Sequence, residues 1–317
     1  ARTLIAAALA YPAPRDLAPP HDGRARGRVS CHSWGEDYHR VLGAKLTVLA
    51  RYLERVTVQL LGGSPPRWQV FVDTGPLLDR AVAVRAGLGF IGKNTCLITP
   101  DFGSWVFLGE ILTTLELPPD QPKRGRCGSC DLCLRVCPTG ALEAPYRLNP
   151  ARCLAYITQQ PGLIHEEFRK PLAARLYGCD TCQSVCPHNR GVQPYREPAF
   201  KPELEEAYPQ LLPLLQMTNR QFRQRFGRLA GAWRRLPIWQ RNALVILGNR
   251  RERRAVPILE EFLAHRRWEL RALAAWALGV CGEGAARLAL ERRRQVESHP
   301  EVLRELEQAL QRLPGTE

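Results

Sequence analysis

Two tight cysteine runs, an alternation of strand-like and helix-like segments ahead of them, and a helical repeat behind them predict the fold class. They imply a mixed α/β core over 1–120, a ferredoxin-like module over 121–195 and an all-α domain of HEAT-like repeats over 196–317. At 317 residues, 45% hydrophobic and 24% charged, the chain has a globular composition and enough length for two or three domains. No stretch reads as a membrane span. The opening "ARTLIAAALAYP" has one arginine and no plausible cleavage site, so it reads as a buried strand or helix. Because the chain begins with Ala rather than Met, an N-terminal portion is expected to lie outside it.

The front part starts from "QVFV", a short apolar strand that ends at Asp73 and a Gly-Pro turn. An amphipathic helix from about Leu77 to Ala86 follows, then a glycine-rich loop and two strand-like runs, "NTCLIT" and "SWVFLGEILTTL". Strand ends are where α/β sheets place ligands. The loop "GLGFIGK" is not a P-loop, since its spacing is wrong and Asn94 replaces the Ser or Thr after Lys93. It also follows a helix and precedes a strand, the reverse of a dinucleotide fingerprint. Phosphate cradling by Gly89, Gly92 and Lys93, or a plain turn, are the readings left.

The middle is written in sulfur. In "CGSCDLCLRVCPTGAL", Cys127, Cys130, Cys133 and Cys137 follow the C-x2-C-x2-C-x3-C-P pattern of bacterial ferredoxins, in which the fourth cysteine ligates the other [4Fe-4S] cluster. A second run, "YGCDTCQSVCPHN", supplies Cys179, Cys182 and Cys186, one short of a full repeat, and the isolated Cys153 makes up eight. With crossed ligation the first cluster takes Cys127, Cys130, Cys133 and Cys186, and the second takes Cys137, Cys153, Cys179 and Cys182. Zinc and disulfides are the competing readings. Cys96 and Cys281 stand in apolar surroundings that suit a core. Clusters held by reduced thiolates fit the cytoplasm.

The tail carries much of the net charge of +14: eleven arginines and a single acidic residue, Glu252, lie between Arg220 and Arg254. Arginine's planar fork suits phosphate and stacks on bases, so a polyanion such as RNA is the natural partner, against the competing reading of a solvated face. The residues expected to meet it are Arg234, Arg235, Arg241, Arg250, Arg251, Arg253 and Arg254. The same stretch repeats: Ala243, Leu247 and Gly248 align with Ala274, Leu278 and Gly279, each unit reading as a helix, a turn at the glycine and a second helix.

Taken in order, "VDTGPLLDRAVAVRAGLGFIGKNT", "DFGSWVFLGEI", the two cysteine runs with Cys153 between them, and the helical tail resemble the epoxyqueuosine reductase family, from about Val29 to the end. The resemblance implies a cobalamin-binding α/β core, similar to that of reductive dehalogenases. It also implies reduction of epoxyqueuosine to queuosine at the wobble position, 34, of tRNAs with GUN anticodons, those for Tyr, His, Asp and Asn. The two [4Fe-4S] clusters would relay single electrons from a reduced donor such as flavodoxin or ferredoxin, and the protein would act as a monomer away from membranes.

An epoxide oxygen leaves poorly as an alkoxide, so a buried carboxylic acid kept neutral by an apolar site is needed as proton donor. Asp73 matches the family's donor. Cys31, Tyr38, His39, Asp73, Lys93, Leu97 and Leu108 are the corrin-pocket residues the resemblance implies. "DYHRVLG" approaches the D-x-H-x-x-G signature of cobalt-ligating histidines, but its spacing is one residue too long and no His–cobalt bond is expected. Two other classes compete: a pure electron carrier, which cobalamin retention would exclude, and a nucleic-acid scaffold with structural clusters, which a redox titration would exclude.

Overall fold

A computed structural model of the chain describes residues 1–60, 62–282 and 284–313. The polypeptide does not divide into three consecutive stretches. One compact unit comprises Ala1–Ala18, Cys31–Pro150 and Asp180–Glu203, the other Pro19–Ser30, Ala151–Cys179 and Leu204–Glu317. The expected 121–195 module is thus shared out between the two, because 151–179 forms its contacts with the helical repeats.

The first unit is built on a three-stranded antiparallel sheet whose centre is Val106–Thr113, flanked by Thr3–Ala10 and Trp68–Phe71. The opening segment is therefore a strand, paired from Thr3↔Thr113 to Ala10↔Val106. Against one face lies the helix Tyr38–Gln59, started by Asp37, whose carboxylate accepts from the His39 backbone N–H at 3.0 Å. Its buried residues Leu42, Leu46 and Ala50 recur every fourth position, the period of one helix face. Gly109 on the central strand lets this helix close in, since a Cβ there would lie 2.8 Å from Leu46. The short helix Asp79–Arg85 also packs on the sheet.

"NTCLIT" keeps only Leu97–Ile98 as strand, because its one partner is Phe90–Ile91, the other arm of a tight hairpin. The glycine-rich loop is that hairpin's approach: a Cβ at Gly89 would sit 2.2 Å from the Ile98 carbonyl oxygen. Its glycines are thus needed for close backbone approach, the plain-turn reading of the segment.

The second unit holds a small parallel pair, Arg28–Val29 with Arg175–Tyr177, and the helices Arg235–Arg250, Val256–Phe262, Trp268–Cys281, Gly284–Val296 and Pro300–Arg312. The repeat seen in the sequence is a repeat of helices, but its aligned glycines are not turns. Gly248 and Gly279 lie inside helices, where a Cβ would meet the Trp276 ring at 2.3 Å and the Ala309 Cα at 2.6 Å. They mark where one helix presses on the next. The turn after the first of these helices falls at Arg251, in the left-handed region at φ 50°. Among the described residues no helix is long and apolar enough to cross a membrane.

Candidate iron–sulfur cage and adjoining cleft

Within the first unit, Cys127, Cys130, Cys133 and Cys186 line one cavity of about 150 Å³. Cys127 and Cys130 lie on the loop that leads into the helix Leu132–Val136, bent at Gly128 (φ 55°), Cys133 lies in that helix, and Cys186 caps the turn Pro187–Asn189. These are the four sulfurs expected for the first cluster. Among the described residues no three His, Cys, Asp or Glu side chains are grouped to hold a single ion. The thiols instead stand around a space, which is how residues around a cube must stand. Burial pushes the Cys133 thiol up to about 11, helped by Cys182 and Cys127. Burial likewise raises Cys186, with Cys127 and Cys130 adding to it. Only a bound cation would draw such thiols into the thiolate form, so loading releases protons.

The cage is braced from outside. Lys93 donates its backbone N–H to Cys127 Sγ at 3.4 Å and its ammonium to the carbonyls of Gly128 and Cys130, both at 2.8 Å. Lys93 is thus a clamp on the cysteine loop and does not line the cleft described below. Asn189 secures the Cys186 turn: its amide donates to Ser104 Oγ at 2.9 Å and to the Gln183 carbonyl at 2.8 Å, and its oxygen accepts from the Ser104 backbone N–H at 2.7 Å. Nothing in the cysteine spacing announced either support; Lys93 is 34 residues from Cys127, and Asn189, three residues past Cys186, is anchored by Ser104, 85 residues away.

Cys137 and Cys182 belong to the same unit. Burial pushes the Cys137 thiol up but is outweighed by the N–H groups of Leu142 and Thr139, and the net shift is downward. Cys182 is raised well above the usual range, first by its contact with Cys96 and then by burial. Cys96, expected in a core, instead borders the cleft. Cys153 and Cys179 belong to the second unit, Cys153 as the residue before the helix Leu154–Ile157 and Cys179 two residues past Arg175–Tyr177.

The cleft itself, about 960 Å³, is walled by Tyr38, Asp73, Leu97 and Leu108 among others. Four of the expected pocket residues therefore meet. His39 stands behind Asp73. Cys31 is fully buried, with its backbone N–H on Asp180 Oδ2 at 3.2 Å, and does not line the cleft. Tyr38 lies flat on Phe107 at 4.1 Å, with His39 stacked on its ring, also at 4.1 Å.

Asp73 departs from the expected neutral acid. It sits just past the strand Trp68–Phe71 at φ 57°, and its side chain is 60% exposed. Its Oδ2 accepts from Tyr38 OH at 2.7 Å and pairs with His39 Nε2 at 3.5 Å. His39, ahead of the opposing effect of burial, holds the Asp73 carboxyl below its ordinary value, so it is a carboxylate. His39 in turn is raised to about 9, first by Asp37, whose Oδ1 lies 2.7 Å from Nδ1, then by Asp73. The enclosed carboxyl is Glu110: fully buried, neither oxygen hydrogen-bonded among the described residues, and pushed up to about 7 by burial and by Asp79. It faces the same side of the central strand as the cleft residues Val106 and Leu108, four and two positions away. A strand-interior Glu amid apolar residues was the signal that could have found it.

In the second unit, Arg235, Arg250, Arg251, Arg253 and Arg254 are exposed, and Arg254 pairs with Glu252 at 2.7 Å. Arg234 lays its guanidinium over Trp233 at 3.6 Å. Arg241 is a correction: it is 1% exposed, donating to the carbonyls of Ile157 at 2.8 Å, Gly162 at 3.0 Å and Gln160. Its charge is enclosed by backbone and faces no partner. Helix Arg235–Arg250 is buried through most of its length, and position 241 falls on the packed side.

Three family models match the chain: epoxyqueuosine reductase QueG, DUF1730, over residues 1–74, a 4Fe-4S double cluster binding domain over 126–189, and HEAT repeats over 236–311. The epoxyqueuosine reductases of Listeria monocytogenes and Bacillus subtilis are 45% and 42% identical, over 96% and 100% of this chain and 79% and 81% of their own. A crystal structure of epoxyqueuosine reductase with a tRNA-Tyr epoxyqueuosine-modified stem loop superposes with a TM-score of 0.91 at 42% identity, over 98% of this chain and 81% of that one. The Bacillus subtilis enzyme, with an aspartate-bearing catalytic loop swung out of its active site, superposes at 0.91 and 41% identity, over 98% and 82%.

Proposed function

This chain belongs to the epoxyqueuosine reductase family, and we propose from that membership that it reduces the epoxide of epoxyqueuosine in tRNA to the alkene of queuosine. The observation that carries the reading is the pairing of a four-cysteine cage with a cleft that reaches Cys96, the neighbour of Cys182. A proposed cluster ligand, Cys182, then lies one side chain behind the wall of a pocket large enough for a cofactor. The reaction consumes two electrons and two protons, breaks both C–O bonds of the epoxide, forms C=C and releases water. Clusters pass electrons singly, so two deliveries are needed per turnover.

The cluster ligands we propose are Cys127, Cys130, Cys133 and Cys186 for one and Cys137, Cys153, Cys179 and Cys182 for the other. The second set rests on spacing and on the double-cluster family match. The cleft suits cobalamin: Leu97, Leu108 and the Tyr38–Phe107 stack form an apolar wall that would hold the corrin. When bound, that group supplies low-potential one-electron chemistry at carbon. The chain's own residues close the pocket and move protons. Asp73, on an exposed loop in a left-handed conformation, is the group that protonates the leaving oxygen; the swung-out aspartate loop of the Bacillus subtilis relative supports this role.

The exposed arginines Arg235, Arg250, Arg251, Arg253 and Arg254, with Arg234 beside them, would hold the phosphates of a tRNA with a GUN anticodon. Flavodoxin or ferredoxin is the proposed donor, the cytoplasm the location and the monomer the working form. The test is to take tRNA from a strain lacking the enzyme, incubate it with reduced, cobalamin-loaded protein, digest it and read the nucleosides by mass spectrometry. Loss of one oxygen from the modified guanosine is expected. An unchanged nucleoside profile would sink the proposal.

A further inference from the structure

Resting on the reading of the four-cysteine cage as a cluster site, we infer that Asn94 is a positioning residue whose side-chain amide donates an N–H to a sulfur of that cluster and raises its reduction potential. Asn94 stands where a phosphate loop would carry Ser or Thr, and its place in the fold gives it this different task.

Asn94 lines the cage together with Cys127, Cys130, Cys133 and Cys186. It is 4% exposed, and its Nδ2 is buried with no hydrogen-bond partner among the described residues. The amide does not escape this by turning over. Its Oδ1 accepts from the Cys96 backbone N–H at 3.3 Å, and a flipped amide would set donor against donor. The turn that carries it is fixed as well: the Thr95 N–H donates to the Gly92 carbonyl at 2.9 Å, with Thr95 in the left-handed region at φ 66°. An enclosed N–H is costly unless it meets an acceptor. The neighbours offer none: Ile98, Leu132 and Pro187 are apolar, and the Lys93 ammonium is committed to the carbonyls of Gly128 and Cys130. Sulfide and thiolate sulfurs are acceptors that carry negative charge, and they fit. The preceding residue already behaves in this way, since the Lys93 backbone N–H donates to Cys127 Sγ at 3.4 Å. Two consecutive residues thus bring donors to one cage. Reduction adds negative charge to a cluster, so each such donor favours the reduced form.

The test is a potentiometric titration, followed by EPR, of the chain with both clusters assembled. The wave that belongs to this cage is the one that Cys186→Ala lacks. Asn94→Asp keeps an acceptor for the Cys96 N–H and exchanges the donor for an anion, while Asn94→Leu removes the donor at similar volume without adding charge. Each should keep about eight iron atoms per chain. That wave alone should move to lower potential, by about tenfold in the reduction equilibrium or about 59 mV for one electron, and further in Asn94→Asp than in Asn94→Leu. Pulsed EPR of the reduced wild-type protein, labelled with nitrogen-15 in its asparagine side chains, should show a nitrogen coupling that both variants lack. This coupling is read on wild type and decides the matter where a variant fails to hold its cluster. An unmoved wave in variants with full iron, or a wild-type spectrum without the coupling, overturns the donor while the cluster stands. Equal iron in wild type and Cys186→Ala overturns the cluster reading of the cage, and the donor with it.

Discussion

Arg241 separates a structural arginine from an RNA-binding one. Replacing it with Met keeps volume but removes the donor from three enclosed carbonyls, Ile157, Gly162 and Gln160, and from Asn242 Oδ1 at 2.8 Å. A buried carbonyl left without a partner costs about 1–3 kcal/mol, so three cost several. Against this, the variant no longer buries a cation whose enclosure lowers its own pKa to about 10. The net expectation is about 3–5 kcal/mol of destabilisation. At 2–4 °C per kcal/mol for a unit of 150–250 residues, that is a drop of roughly 6–20 °C in Tm. Thermal and urea unfolding followed by circular dichroism measures it, and anisotropy against a tRNA stem loop at several salt concentrations measures binding below the transition. The salt slope should match wild type. An unchanged Tm together with a slope smaller by about 0.7–0.9 would mean that Arg241 contacts a phosphate, and the burial argument would be wrong.

Cys186→Ala should lower iron from about eight atoms per chain to about four; retention of the full complement excludes this sulfur as a ligand. Replacing Arg250, Arg251, Arg253 and Arg254 together with Gln should weaken tRNA binding and flatten its salt dependence with cluster absorbance unchanged, and unaltered affinity would return this stretch to a solvated face. Gly248→Ala should destabilise by about 1–3 kcal/mol, although Ala is the better helix former, because its Cβ would enter the Trp276 ring; a stabilised variant in denaturant titration would refute the close-contact reading.

Cysteine spacing, the strand "QVFV" before a Gly-Pro turn and the helical repeat were all legible in the chain alone, because each is a local pattern written within a few turns or one strand. The grouping of Cys186 with Cys127, Cys130 and Cys133 was also within reach, through a spacing rule. What tertiary structure alone decided were the properties that depend on surroundings. Lys93 became a clamp on the cysteine loop because a hairpin brings it there. Asp73 is a carboxylate because Tyr38 OH donates to it and His39, also more than thirty positions earlier, stands beside it, while the enclosed carboxyl with a raised pKa is Glu110. Arg241, one of eleven arginines in its stretch, is enclosed because its helix face is packed. Charge state and exposure are set by dielectric and by neighbours, and those neighbours come from distant segments that no local spacing describes.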